Sequence, residues 1–151
     1  MLRPTLLLDE FLPFRLSFTS NLVSECVART YEALFGLTIP EWRVVAVVAE
    51  AGGVTQAMIG ARTRMDKVTV SRAAIALVER SLVVRTRNPG DGRSHLLDLS
   101  PAGRALYAQV APKALELEQR IFAELPAGEI ERFVATLRRI DAITTALETE
   151  R

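Results

Sequence analysis

The sequence MDKVTVSRAAIALVERSLVVRTRNPGDGRSHLLDLS, from Met65 to Ser100, decides the predicted fold. Its first half repeats apolar residues at three- and four-residue spacing, which predicts a helix from Lys67 to Arg80 capped by Asp66. Its second half has two runs rich in Val, Leu and Thr, at 82–87 and 94–99, around the turn-forming sequence NPGDG. The stretch therefore predicts a helix followed by a β-hairpin.

Positive charge is concentrated in this part of the chain. Between Gly60 and His95 there are eight Lys and Arg residues but three acids, a local charge of +5. The remaining eleven basic and fifteen acidic residues give −4, so the whole chain carries only +1. The low whole-chain charge argues against a general nucleic-acid coating role, whereas the segregation of charge is expected of a module that meets phosphate with one face.

The flanking sequence predicts further helices. A long helix is expected from Asp9 to about Phe35, with a regular start near Pro13, and PEWRVVAVVAEAGG predicts a short helix stopped by its glycine pair. Thr55 is a predicted N-cap for a helix of about three turns. Ser100 is expected to cap a helix that Pro112 kinks, and a last helix follows a break containing Gly128.

Two short helices and a basic hairpin predict a winged helix-turn-helix, whose second helix enters the DNA major groove. On that helix the spacing assigns Val70, Ala73, Ala74, Leu77 and Val78 to the core, so the opposite side is free for bases. Arg72 suits guanine, and Val68 or the Thr69 methyl suits a thymine methyl. Asp91 is placed to brace Arg93 for a minor groove. The predicted DNA-contacting residues are Thr55, Gln56, Arg64, Lys67, Val68, Thr69, Ser71, Arg72, Arg87, Asp91 and Arg93.

The outer helices carry more apolar surface than one small domain can cover, which predicts a homodimer. The alternative is that they pack on each other within one chain. The predicted fold is thus mainly α with a small β-hairpin wing. Residues 37–100 form the winged helix-turn-helix DNA-binding domain, and residues 1–36 and 101–151 form the dimerisation region.

The segment from Leu37 to Leu106 resembles the MarR family of bacterial transcriptional regulators, most specifically in MDKVTVSR, the wing DGR and LSPAGR. The resemblance implies an obligate homodimer that binds a roughly palindromic double-stranded operator and usually represses. It assigns Ser71 and Arg72 to recognition-helix contacts, and Asp91 and Arg93 to the wing pair. Two residues depart from the pattern. Ser81 replaces a glycine at a position that often needs a left-handed conformation, and Gly92 replaces a charged residue.

The resemblance also implies release from DNA by a small aromatic acid or phenol. Arg15 lies on an apolar face, and a buried guanidinium needs an acceptor, which a ligand carboxylate would supply. The alternatives are an internal ion pair, with an acid such as Glu41, or a side chain that reaches solvent. The predicted effector-binding residues are Phe11, Phe14, Arg15, Phe18, Trp42 and Arg43.

Other functions have weaker support. Cys26 suggests a peroxide-sensing repressor, but apolar neighbours favour simple packing. A non-specific DNA-organising protein is the remaining binding alternative. One cysteine and His95, the single histidine, offer no metal cluster, and no motif joins catalytic groups. We expect no enzyme activity, cofactor or membrane span, and a cytoplasmic location.

Overall fold

The computed structural model describes residues 5–151. In chain order they form a 3-10 turn (Leu8–Glu10), α1 (Leu12–Phe35), α2 (Ile39–Ala51), α3 (Gln56–Thr63), α4 (Lys67–Glu79), β1 (Val83–Arg87), β2 (His95–Leu99), α5 (Pro101–Phe122) and α6 (Ala127–Thr149). The prediction of a mainly helical chain with one hairpin wing is confirmed.

The helix starts lie where the capping residues predict them. Thr55 Oγ1 accepts a hydrogen bond from the Met58 amide, and Asp66 Oδ1 accepts one from the Thr69 amide. Pro13 lies in the first turn of α1, where its missing N–H costs little. The two capping side chains define the helix starts because each accepts a hydrogen bond from a backbone N–H that has no partner within the helix.

Two helix boundaries differ from the prediction. The helix α3 has eight residues, about one turn fewer than expected, because Arg64 adopts a left-handed conformation (φ 61°) and ends it. Gly128 lies in the first turn of α6 rather than in the preceding break. Helix α5 continues through Pro112 to Phe122.

The core of the helix-turn-helix is made of side chains from α2, α3, α4 and the hairpin. Leu37, at the end of the α1–α2 turn, and Val110 of α5 are also fully buried in this cluster. The buried members are Tyr31, Leu37, Val44, Val45, Val47, Val48, Val54, Ile59, Val70, Ala73, Ala74, Leu77, Leu82, Val83, Leu97, Leu99 and Val110. This core fixes α4 with one face inward.

The chain divides into two compact units, one ending at Ala114 and one from Leu115 to Arg151. In the second unit, α6 has no buried residue, and its exposed apolar side chains are Phe133, Val134, Ile140, Ile143 and Leu147. In the first unit, α1 exposes Leu12, Leu16 and Leu22. None of the described helices combines the length and the apolar character needed to span a bilayer.

Candidate nucleic-acid interface

Helix α4 has one buried side and one exposed side, as the spacing predicts. Val70, Ala73, Ala74 and Leu77 are buried, and Val78 packs against the core at the edge of this face. On the opposite side Arg72 is exposed and Val68 is 58% exposed. Lys67 is also exposed, while Thr69 and Ser71 are half-buried on the flanks.

Ile75 extends the exposed side of α4 and was missed by the sequence analysis. It lies seven residues after Val68 and three after Arg72, so all three share one stripe along the helix. Its side chain is 46% exposed although it belongs to an apolar residue type. The spacing from Val68 was the signal that could have revealed it. We call Val68, Arg72 and Ile75 the α4 stripe.

The first turn of α4 is held by a double hydrogen bond at its cap. Asp66 Oδ1 accepts from the Thr69 amide at 2.8 Å, and Asp66 Oδ2 accepts from the Thr69 hydroxyl at 2.9 Å. These two hydrogen bonds lower the pKa of Asp66 below its ordinary value of 3.8, and the one from the Thr69 amide has the larger effect. The Thr69 hydroxyl is therefore committed to the cap.

The turn between α3 and α4 contains Arg64, which is exposed. Its positive φ of 61° is uncommon for a residue with a Cβ, and such conformations concentrate at functional sites. At the other end of α3, Thr55 and Gln56 are half-buried, and the Thr55 hydroxyl caps the helix. The structure thus places Arg64 beside the start of α4.

The tip of the β1–β2 wing is braced by its own side chains. Asn88 Oδ1 accepts from the Gly90 amide at 3.0 Å, and Asn88 Nδ2 donates to Ser94 Oγ at 3.0 Å. Asp91 Oδ1 accepts from the Arg93 amide at 3.0 Å. The predicted brace therefore acts on the backbone of Arg93 and leaves its guanidinium out of that bond.

The wing presents basic side chains along an exposed hairpin. Arg85, Arg87 and Arg93 are all exposed. A Cβ built at Gly92 would lie 3.5 Å from Arg87 Nη2, so the Arg87 guanidinium lies beside the position that lacks a side chain. A positive charge therefore lies next to Gly92, although residue 92 itself carries none.

A backbone bridge attaches the wing to the helix-turn-helix. The Val54 amide donates to Leu97 O at 3.2 Å, and the Leu97 amide donates back to Val54 O at 2.7 Å. Beside it, the Gly53 amide donates to Asp98 Oδ1 at 2.6 Å. This non-local pairing of the residues before α3 with β2 was not predicted, and it fixes the wing relative to α3.

The sequence LSPAGR forms a junction between the hairpin and α5. Ser100 Oγ donates to Ser81 O at 2.6 Å and accepts from the Gly103 amide at 3.0 Å. A Cβ at Gly103 would overlap the Leu82 carbonyl oxygen, so only glycine fits there. Ser81 has a φ of 60°, which confirms the expected left-handed conformation at this position.

Within residues 5–151, the predicted effector-binding residues fall into separate regions. Phe14 and Phe18 pair near the start of α1, with ring centroids 6.0 Å apart. Trp42 lies against Tyr31, which is seventeen residues beyond Phe14 on α1, or about 25 Å along the helix. Trp42 also stacks on Tyr107 of α5 at 6.0 Å. This aromatic group includes two tyrosines that the sequence analysis did not select.

Arg15 is only half-buried and forms an internal ion pair, which matches the alternatives to a buried ligand-binding guanidinium. Its side chain is 40% exposed, it lies 5.1 Å from the Phe18 ring centroid, and its Nη1 is 3.0 Å from Asp9 Oδ1. The acid that pairs with Arg15 is therefore Asp9. Glu41, the acid named as an example, lies near Arg80. Phe11 is 43% exposed. Arg43 lines a surface cavity of about 370 Å³ with Ser20, Asn21, Ser24, Glu25, Ala28 and Ile39.

The other predicted candidates are placed as follows. Cys26 is a free, half-buried thiol on α1. Within residues 5–151 no three His, Cys, Asp or Glu side chains are grouped so that they could hold a metal ion.

Known proteins resemble this chain in sequence and in fold. A probable transcriptional regulator from Pseudomonas aeruginosa is 30% identical, with a TM-score of 0.75 over 89% of this chain and 99% of that one. BpsR of Bordetella bronchiseptica, studied for regulation of its DNA binding by 6-hydroxynicotinic acid, is 24% identical, with a TM-score of 0.82 over 91% and 97%. The transcriptional repressor NicR of Pseudomonas putida is 27% identical over 69% of this chain and 66% of its own length.

The family comparison covers the part of the chain that carries the candidate interface. The MarR family model matches residues 35–94, which run from the end of α1 to the wing. Together with the P. aeruginosa regulator, which is matched over nearly its whole length, this establishes that the chain belongs to the MarR family of transcriptional regulators.

Proposed function

We propose that this protein is a dimeric, sequence-specific DNA-binding repressor that a small aromatic carboxylate or phenol releases from its operator. The observation that carries the proposal is the α4 stripe, where Arg72 lies between two exposed apolar side chains that the fold itself does not need there. An exposed helix side of this kind suits a major groove, which displays both guanine acceptors and thymine methyl groups.

Each part of α4 has a separate role in this proposal. Arg72 donates to O6 and N7 of one guanine, and Val68 and Ile75 contact thymine methyl groups. Lys67 and Ser71 bind phosphate and set the register of the helix, which carries no sequence information by itself. Because the Thr69 hydroxyl is bound by Asp66, we assign only its methyl group to DNA.

The residues around α4 extend the contact to the backbone and the minor groove. Arg64 and the start of α3, at Thr55 and Gln56, lie where phosphate is favoured. In the wing, Asp91 holds the backbone of Arg93, so that its guanidinium enters a narrow, A·T-rich minor groove. Arg87 binds an adjacent phosphate in place of a side chain at residue 92.

Support for dimerisation comes from the apolar side chains that remain exposed on α1 and, separately, on α6. Monomeric soluble proteins rarely expose large contiguous apolar patches. We therefore assign residues 1–36 and 101–151 to dimerisation and residues 37–100 to DNA binding. A two-fold dimer reads a pseudo-palindromic operator, because each subunit reads one half-site. Such a regulator acts in the cytoplasm, where bacterial DNA is located.

The effector proposal has support of two kinds. BpsR, a structural neighbour, is regulated by 6-hydroxynicotinic acid, which is an aromatic acid. In this chain the Arg15–Asp9 pair is exposed, so a ligand carboxylate could replace Asp9 next to Phe18 at little cost. Phe11 and Phe14 would add apolar contact there. Trp42 and Arg43 lie on α2, away from the start of α1, and define a second region for the same test.

The deciding experiment is a binding competition. Purified protein is mixed with labelled DNA from upstream of its own coding region, and unlabelled random duplex of equal length competes at two salt concentrations. The proposal predicts a preference of at least about 10³-fold for the specific site. Equal competition by random duplex would indicate a non-specific DNA-organising protein instead.

The release step is tested on the same complex. A panel of benzoates, phenols and their thioesters is added, with hydrogen peroxide as a separate arm. Release by an aromatic acid supports the proposal, and failure of the whole panel contradicts the effector part. Release by peroxide that is lost in Cys26→Ser would indicate a redox sensor.

A further inference from the structure

Arg80 joins the end of α4 to the end of α1. Its Nη1 donates to Gly36 O at 3.0 Å, and its Nη2 donates to Phe35 O at 3.2 Å. The guanidinium lies over Gly36, since a Cβ built there would be 4.0 Å from both terminal nitrogens. A side chain outside the α4 stripe thus holds two carbonyls from forty-four and forty-five residues earlier in the chain.

The carbonyls that Arg80 binds belong to a helix C-terminus. The last carbonyls of an α-helix have no partner within the helix, and the helix dipole places partial negative charge there. Gly36 ends α1 in a left-handed conformation with φ 62°. A guanidinium suits this end because its planar fork can donate to two neighbouring oxygens at once.

Arg80 also approaches the start of α2. Its Nη1 lies 4.0 Å from Glu41 Oε2, and the Glu41 side chain is only 13% exposed. Glu41 Oε1 accepts from the Thr38 hydroxyl at 2.8 Å, and Thr38 Oγ1 in turn accepts from the Glu41 amide. One guanidinium therefore connects α4, the end of α1 and the capped start of α2.

We propose that Arg80 is a positioning residue that fixes the direction of α4 relative to α1, and so sets the separation of the two recognition helices in the dimer. The inference rests on the proposed function, in which α1 dimerises and α4 reads DNA. We do not assign Arg80 to bases, because Nη1 and Nη2 each donate to a protein carbonyl at the end of α1.

This arrangement makes a specific prediction about operator geometry. Half-sites for a two-fold helix-turn-helix dimer lie about 10 to 10.5 base pairs apart, so one inserted base pair turns one half-site by roughly 35°. A rigid connection between α1 and α4 resists that rotation, whereas a loosened connection tolerates it. The quantity that Arg80 controls is therefore the penalty for changed spacing, beyond any effect on overall affinity.

The test compares operator duplexes with native spacing and with one base pair inserted or deleted at the centre. Wild-type protein should lose roughly tenfold or more in affinity on the altered duplexes. Arg80→Ala should show a spacing penalty of about threefold or less, and Arg80→Lys, which keeps the charge but not the fork, an intermediate one. Arg62→Ala is the matched control, because it removes an exposed ion pair with Glu50 that does not involve α1.

The outcomes separate the inference from its alternatives. An unchanged spacing penalty in a folded Arg80→Ala protein, with affinity lowered equally on all duplexes, would overturn the inference. If Arg80→Ala does not fold, as judged by its circular dichroism and melting temperature, an unchanged penalty in Arg80→Lys overturns it instead. Loss of the penalty in Arg62→Ala would also contradict a specific role for Arg80. If wild-type protein shows no preference for operator over random duplex, the proposed function itself has failed.

Discussion

Replacing Ser100 with alanine removes two hydrogen bonds from the junction between the wing and α5. Ser100 is 8% exposed, and its hydroxyl donates to Ser81 O and accepts from the Gly103 amide. Loss of an N-cap costs about 1 kcal/mol. The bond to the Ser81 carbonyl is part-buried, and losing such a hydrogen bond costs about 0.5 to 1.5 kcal/mol. We therefore expect Ser100→Ala to lower the free energy of unfolding by about 1.5 to 2.5 kcal/mol.

The measurement is urea unfolding at one fixed protein concentration, because the proposed dimerisation would make apparent stability depend on concentration. The same loss corresponds to a fall in melting temperature of about 3 to 10 °C. Ser94→Ala is the matched control. Its hydroxyl also makes two hydrogen bonds, with Asn88 and Asp91, but it lies in the wing loop, where water can replace them. We expect a cost below about 1 kcal/mol there.

The comparison between Ser100→Ala and Ser94→Ala tests whether burial makes the Ser100 hydrogen bonds more stabilising. If the two variants lose stability equally, burial of the junction does not have that effect. A small effect of Ser100→Ala on unfolding would likewise refute the energy derived from the two bonds.

Three further predictions concern DNA binding and pH. Arg72→Ala should weaken operator binding by about 1 to 3 kcal/mol and relax the preference at one G·C pair, whereas Arg93→Ala should weaken A·T-flanked sites most. Selection of bound sequences from a pool of random duplexes measures both effects, and the reverse pattern would contradict the assignment of helix and wing. Replacing single operator thymines by uracil removes the methyl group that Ile75 contacts, so wild type should lose affinity at one such position and Ile75→Ala should not; equal sensitivity in both proteins would exclude that contact. Hydrogen bonds from Thr69 lower the pKa of Asp66, so the contribution of Asp66 to stability is complete above the ordinary carboxyl pKa and is lost as pH falls through the lower folded value. The cap in Asp66→Asn does not titrate, so in urea unfolding this variant should lose less stability than wild type between about pH 5 and pH 2.5. Equal losses would contradict the prediction.

The features that could be predicted from sequence are those that depend on neighbours in the chain. Thr55 and Asp66 cap their helices as expected, because a capping side chain bonds an amide only three residues away. The buried side of α4 follows from helical spacing, and the conformation of Ser81 follows from its place after the helix. In each case the deciding contact is local.

The features that sequence reasoning missed depend on contacts between distant residues. Nothing near Val54 indicates that its backbone pairs with Leu97, since the bridge joins residues forty-three positions apart. Arg15 illustrates the same limit. Its apolar surroundings predicted burial, but the folded chain leaves it partly exposed and pairs it with Asp9 from the turn before α1. Helical spacing identifies a face, but the elements packed against it determine how much of that face is covered.

The braced wing tip affects the thermodynamics of DNA binding. The loop is held by hydrogen bonds of Asn88, Asp91 and Ser94 within the free protein. It therefore does not have to be ordered from many conformations when DNA binds. Ordering a flexible side chain on association typically costs about 0.5 to 1.5 kcal/mol, and further backbone ordering adds to it. A tip that is organised beforehand avoids part of this entropy loss, so in the proposed complex the attraction between the Arg93 guanidinium and the minor groove contributes more fully to affinity.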